Sequence, residues 1–182
     1  TLVNKVPTIR TKVTIGSGDM VLLHVVHPEP PMPNHTTDGR DGEIGKVAEM
    51  VSNEDLPVIV SGDLNDVAWS MTTRRFQRVS RLLDPRIGRG FYNTFHAAFP
   101  VMRWPLDHLF HDARFRLIEV ERLRPFGSDH FAMVFKLALS TTTASGVDVE
   151  EVKSRDIEEI EDSVEVESGN NRTALGSDWE KP

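Results

Sequence analysis

The run Leu56-Pro57-Val58-Ile59-Val60 stops abruptly at Ser61-Gly62-Asp63-Leu64-Asn65-Asp66, and this junction constrains the chain more than any other stretch. A short β-branched run bounded by turn residues reads as a strand buried on its faces, which needs cover from other layers. Gly62 allows a sharp turn at its end. Asp63 and Asn65 are two residues apart, so if the backbone stays extended both side chains leave one face. A carboxylate beside an amide at a strand end can hold a hard cation, orient a water or grip a phosphate oxygen. Gly, Asp and Asn are also the ordinary residues of turns, so the junction alone does not fix a function.

The neighbouring segments supply the layers. Ile9–Ile15 alternates apolar and polar as a half-buried strand does. Gly16-Ser17-Gly18-Asp19 is a turn, and Met20–Val26 is a second strand, together a hairpin. His27 follows at the strand end, on a segment stiffened by Pro28, Pro30, Pro31 and Pro33. His24, inside the strand, reads as a core histidine. Asn34 to Arg40 reads as loop, and Ile44, Val47, Ala48 and Val51 mark a helix over Asp41–Val51. A second helix is expected over Met71–Leu83, capped by Ser70 and carrying Phe76, Val79, Leu82 and Leu83 inward. Short strands are expected at Phe91–His96 and Leu106–Phe110, then longer ones at Arg114–Leu123 and Phe131–Leu139. Strands alternating with helices imply layered α and β structure.

Charge is unevenly distributed. Thr141–Pro182 holds 12 acids and 4 bases, whereas the first 140 residues hold 16 acids and 17 bases. The overall charge of −7 therefore describes the tail and does not argue against an anionic substrate for the body. From Arg74 to Arg103 there are seven arginines and one acid, either a solvated face or a patch that attracts a polyanion. The expected division is residues 1–140 as one domain and 141–182 as an acidic, disordered tail, with a transient helix at Val152–Ile160, because that segment has few large apolar residues. The absence of cysteine excludes disulfides and thiolate metal sites. No apolar run approaches the roughly 20 residues of a membrane span.

Four short motifs lie at predicted strand ends: His27-Pro28, Gly62-Asp63-Leu64-Asn65, Pro105-Leu106-Asp107-His108 and Ser128-Asp129-His130. In this order they resemble the C-terminal part of the endonuclease/exonuclease/phosphatase family, the deoxyribonuclease-I-like hydrolases. The prolines after His27 and the stretch Arg103–His108 look closest to its bacterial, often membrane-tethered branch. The resemblance covers roughly Pro7 to Leu139. It implies an α+β fold, a four-layer sandwich of two mixed sheets with helices outside, of which this chain holds the C-terminal portion.

The resemblance also implies Mg²⁺- or Mn²⁺-dependent hydrolysis of a phosphoester, nucleic acid being one such substrate. Asp63 would activate or align the attacking water, and Asn65 would bind a phosphate oxygen or the metal region. His130, oriented by Asp107, would stabilise the transition state. Asp129 would help ligate the metal, and His27 would act near the leaving group or bind phosphate. His108, next to Asp107, would point to the opposite face. The family's early-strand Asn and metal-binding Glu have no counterpart before Pro7, which implies a piece of a longer protein holding half of the site. A phosphomonoesterase or sphingomyelinase-like lipid hydrolase is the alternative chemistry. An inactive phosphate-binding module is the alternative class.

Overall fold

The structure, a computed structural model, describes residues 8–33, 36–140 and 149–170. Its centre is a four-stranded mixed sheet of β1 (Ile9–Thr14), β2 (Met20–Val25), β3 (Val58–Asp63) and β4 (Asp107–His111), in that spatial order. β1 and β2 form the expected antiparallel hairpin, β2 and β3 run parallel, and β3 and β4 are antiparallel. The parallel pair needs a crossover, and helix α1 (Asp38–Ser52) provides it. Helix α2 (Met71–Ser80) begins where Ser70 Oγ accepts the Thr73 N–H at 2.9 Å, and it ends at Arg81 in the left-handed region. β5 (Phe115–Arg122) and β6 (Met133–Leu139) form a separate antiparallel pair.

The core lies between the sheet and the helices. Leu22, Val58, Val60 and Phe110 from the sheet meet Ile44, Val47, Val51, Phe76 and Val79 from α1 and α2. The other sheet face is apolar as well, yet Leu23, Val25, Ile59 and Leu109 on it are only half-buried. Ile9 on the edge strand is 60% exposed.

Three expectations need correction. Phe91–His96 forms no strand; only Phe95 makes isolated bridges, to Trp104 and His130. Helix α1 starts at Asp38, inside the stretch that reads as loop, with Asp38 and Asp41 in its first turn where the macrodipole favours them. The third concerns the acidic segment. Ser154–Gly169 is a sixteen-residue helix, α3, packed on α1 and α2 rather than disordered.

The contact explains the third misreading. Ile160 of α3 is fully buried in the core cluster, flanked by Ile157 and Val164. They cover Gly42 and Gly45 of α1, where a Cβ on Gly45 would meet Ile160 Cγ1 at 2.6 Å. Arg78 of α2 donates to Asp156 from Nε at 2.8 Å and from Nη2 at 2.6 Å, and Arg75 pairs with Glu159. One large apolar residue in a glycine notch, plus buried ion pairs, holds a helix whose composition reads as disordered. Residues 141–148 and 171–182 of that segment lie outside the described residues.

Candidate active site

The register of the sheet brings the first two functional groups together. Asp63, last in β3, is the direct partner of Asp107, first in β4. Facing residues in an antiparallel pair share one side of the sheet, and like charges there repel. The cleft therefore sets two carboxylates side by side, and a positive charge beside them offsets their repulsion.

Backbone pairing delivers the next group. Residues 129–131 line up with 94–97: Phe131 N–H donates to Thr94 O at 2.8 Å, and Ala97 N–H donates to Asp129 O at 2.7 Å. Thr94, fully buried, accepts at its hydroxyl from the N–H groups of Leu106 (3.2 Å) and Asp107 (3.1 Å). The same short segment thus holds Asp107 and His130 in one place. His130 Nδ1 donates to Asp107 Oδ2 at 2.7 Å, and its Nε2 stands 3.7 Å from Asp63 Oδ2. The His27 Nε2 reaches the same oxygen at 3.8 Å, with the ring largely exposed.

Asn65 arrives by another route than its spacing suggests. β3 ends at Asp63, and Asn65 is left-handed at φ 51, so the two side chains do not leave an extended strand. Instead Asp63 Oδ1 accepts the Asn65 N–H at 2.8 Å, closing the turn. Asn65 Nδ2 donates to Pro28 O at 3.0 Å, tying this loop to the one that bears His27. Arg40 Nη1 donates to Asn65 O at 2.9 Å. Gly62 is required here: at φ 151, a Cβ would lie 1.8 Å from Val26 O.

The electrostatics follow from this geometry. Burial raises the Asp63 carboxyl above its ordinary range; the Asn65 N–H opposes this, the Asp107 charge adds to it, and His130 and His27 oppose it. For His130, burial works against the charged ring, but the Asp107 hydrogen bond and the charges of Asp107, Asp63 and Asp129 outweigh it. Its pKa is raised. The carboxyl and imidazole are thus moved to higher values together, which suits a base and a cationic donor working side by side.

Asp63, Asp107 and His130 can each turn one ligand atom to a common point, with those atoms within 4.8 Å of one another. The two carboxylates fit a divalent cation that prefers hard oxygen donors, Mg²⁺ or Mn²⁺, and the imidazole can join them only in its neutral form. Asp129 is exposed and outside this group, with its side chain 3.5 Å from Ser128 Oγ; it reaches the site through charge on His130. His108 does point to the opposite face: it is buried, and desolvation together with Arg86 lowers its pKa to about 4. Sequence reasoning passes over Thr94 and Arg40, whose roles lie in single hydrogen bonds across long separations.

The arginine run is only partly open, with Arg74, Arg81 and Arg89 exposed. Arg75 and Arg78 are buried under α3, and Arg86 is buried against Asp84. Beside the cluster, a cleft of about 300 Å³ opens between the sheet and β6, lined by Asp107, Leu109, Phe131, Met133 and Phe135 among others. A larger cavity of about 710 Å³ lies at the other end of β4, beside Arg74, His111 and Arg116. It shares no residue with the cluster, whereas the smaller cleft borders it at Asp107.

Comparison with known proteins bears on the fold and the family. The crystal structure of an endonuclease/exonuclease/phosphatase from Beutenbergia cavernae DSM 12333 superposes with a TM-score of 0.62 at 17% identity, covering 73% of this chain and 39% of that one. The human nocturnin catalytic domain with bound sulfate gives 0.57 at 16% identity, over 73% of this chain and 53% of that one. Zebrafish (D. rerio) TDP2 in complex with a single-strand DNA product gives 0.58 at 15% identity, over 72% and 61%. The chain thus spans about two fifths to three fifths of the length of these structures. No curated protein sequence matches it. The model of the Endonuclease/Exonuclease/phosphatase family matches residues 2–130, and the chain belongs to that family.

Proposed function

We propose that the protein to which this chain belongs is a divalent-metal-dependent phosphoester hydrolase acting on a phosphodiester, nucleic acid among the candidates. The observation that carries this reading is the facing pair Asp63–Asp107 with His130 bonded to one carboxylate and close to the other. A bound Mg²⁺ or Mn²⁺ would supply charge neutralisation to the phosphoryl oxygens, held by Asp63 and Asp107; Asp129 remains a candidate ligand by resemblance.

The side chains then divide the work. Asp63, with its raised carboxyl, accepts a proton from the attacking water as the oxygen–phosphorus bond forms. His130, kept cationic by Asp107, donates from Nε2 to a non-bridging oxygen where negative charge accumulates. Asn65 retains a second amide N–H for another oxygen. His27, exposed at the lip, is placed to protonate the departing oxygen as its bond to phosphorus breaks.

The half-covered apolar sheet face and the share of each neighbour left unmatched support a further part of this reading. The remaining length of the domain covers that face and completes the metal site. The test is hydrolysis of bis(4-nitrophenyl) phosphate and single-stranded oligonucleotides by the full-length protein with Mg²⁺ or Mn²⁺. Asp63→Asn is expected to lower kcat by about 10³-fold, in the range of general-base losses. Phosphate binding without metal-dependent turnover that Asp63→Asn removes would overturn the hydrolase and leave a binding module. Preference for 4-nitrophenyl phosphate would move the assignment to a phosphomonoesterase.

A further inference from the structure

Behind Asp107, on the other face of β4, lies a buried polar chain that the proposed chemistry does not use. His108 is 2% exposed and meets two partners. Its Nδ1 is 2.8 Å from Arg86 Nη2, and its Nε2 is 2.9 Å from Asp66 O. A guanidinium only donates, and a carbonyl only accepts. The ring is therefore neutral with its proton on Nε2; no other state satisfies both contacts.

Both partners are fixed in turn. Arg86, also buried, donates to Asp84 from Nε (2.9 Å) and Nη2 (2.7 Å), and from Nη1 to Asp107 O at 2.9 Å. The Asp66 carboxylate accepts from Val67 N–H at 2.9 Å, from Thr73 Oγ1 at 3.3 Å and from Ser70 Oγ, which anchors it to the start of α2. The chain Asp84–Arg86–His108–Asp66 thus passes beneath both walls of the cleft. One end grips the backbone of Asp107, and the other grips the loop that carries Asp63 and Asn65.

We propose that Arg86 and His108 are positioning residues, a rigid strut that sets the distance between the Asp63–Asn65 loop and the Asp107–His130 pair. The physical need is plain from the register. Asp63 and Asp107 face each other with like charge, and repulsion at a few ångströms in a half-buried cleft acts to spread the two walls. A site of this kind tolerates only small displacements of its groups, so the shell that orients them matters as much as the groups themselves. A neutral imidazole of one tautomer suits the task, because it binds a cation on one side and a carbonyl on the other without adding charge. The proposal rests on reading the cleft as a phosphoesterase site, though the strut can be tested without turnover.

The test uses the full-length protein with His108→Gln, His108→Leu and His108→Asn. Gln keeps an amide that can donate to Asp66 and accept from Arg86; Leu removes both contacts at similar volume; Asn keeps an acceptor for Arg86 but falls short of Asp66. Two readouts are taken, Mn²⁺ affinity by electron paramagnetic resonance and the ¹⁵N imidazole signals by NMR. Wild type should show His108 with a bare Nδ1, and His130 with its Nδ1 proton bound to Asp107. In His108→Leu, Mn²⁺ affinity should fall about tenfold, the lower end of such orienting effects. The His130 signal should broaden or shift while the backbone spectrum stays dispersed, and Gln should restore most of the loss. If Leu fails to fold, Asn carries the same comparison with Gln. The idea is overturned by a proton on His108 Nδ1 in wild type, by a folded Leu or Asn variant with unaltered metal affinity and His130 signal, or by Gln behaving as Leu does. A full-length protein without metal-dependent turnover, but with these signals as expected, would remove the hydrolase reading and leave the strut.

Discussion

Acid meets base in two regions of this molecule, and the two are built on opposite rules. Under α3, Arg78 grips Asp156 through two hydrogen bonds, with side chains 9% and 1% exposed. Each charge there has its counter-charge at bonding distance. In the cleft, Asp63 stands 3.7 Å from His130 and 3.8 Å from His27, too far for a hydrogen bond, and the His27 ring is 67% exposed. Its charges are close but incompletely matched, and its carboxylates face each other. The first arrangement is closed and serves the fold. The second leaves Asp63 without a counter-charge at bonding distance. A run of charged residues in the sequence therefore says little about function until the geometry reveals whether the charges are used up.

The sharpest way to break this comparison is to open the closed pair. Asp156→Ala leaves Arg78 buried without its partner, and removing one member of such a pair costs about 3–5 kcal/mol. Urea unfolding should register that loss, while Mn²⁺ affinity at the cleft stays unchanged. Loss of metal affinity in the folded variant would mean that the two regions are coupled and the contrast is false. The pH dependence has a definite sign. The Arg78 hydrogen bonds hold the Asp156 pKa at about 2, below the ordinary 3.8. A depressed carboxyl contributes stability above its unfolded value, so about 2 kcal/mol should disappear as pH falls from about 4 to about 2, and Asp156→Ala should abolish that slope.

A smaller effect tests the glycine notch. Replacing glycine inside a helix by alanine ordinarily stabilises it by up to about 1 kcal/mol. At Gly45 the new Cβ would lie 2.6 Å from Ile160 Cγ1 and 2.8 Å from Cγ2, and a β-branched side chain cannot swing aside freely. Gly45→Ala should therefore destabilise by about 1–3 kcal/mol, as overpacking does. In an Ile160→Ala background the sign should reverse, because the obstruction is gone and the propensity gain remains. A Gly45→Ala chain as stable as wild type would show that α3 does not depend on this contact.

How much of this was legible in the sequence follows from the range of the interactions involved. The hairpin, the Ser70 cap and β3 rest on local pattern, and the structure has them within a few residues. The cleft groups were legible only as four separated motifs at strand ends; their meeting depends on the register Asp63↔Asp107 and the splint at Thr94, which no local pattern encodes. Helix α3 was illegible for a different reason. Composition averages over a segment, whereas its docking hangs on Ile160 and on Asp156, whose partners are 78 residues away or on another helix. The same blindness made Arg75 and Arg78 look free to attract a polyanion. Phe91–His96 misled in the other direction, since aromatic residues that favour strands are here spread along a loop that pairs only through Phe95.

The smallest expected effect is also the most diagnostic of the open region. Proton uptake by Asp63 requires its ionised form, so activity should rise as pH passes its elevated carboxyl value. Charge stabilisation by His130 requires the protonated ring, so activity should fall as pH passes its elevated imidazole value. Asp107 raises both groups, through its charge on Asp63 and through its hydrogen bond and charge on His130. Asp107→Asn removes that charge and should move both limbs of the kcat/KM profile toward lower pH together. Stability should change in step: a raised imidazole favours the fold below its unfolded value near 6.5 and loses that contribution as pH rises through the folded value, so the Asn variant should show a flatter slope across that window. Limbs that move apart, or an alkaline limb that stays in place, would mean that Asp107 does not hold the proton on His130, and the division of work between the two walls of the cleft would fail with it.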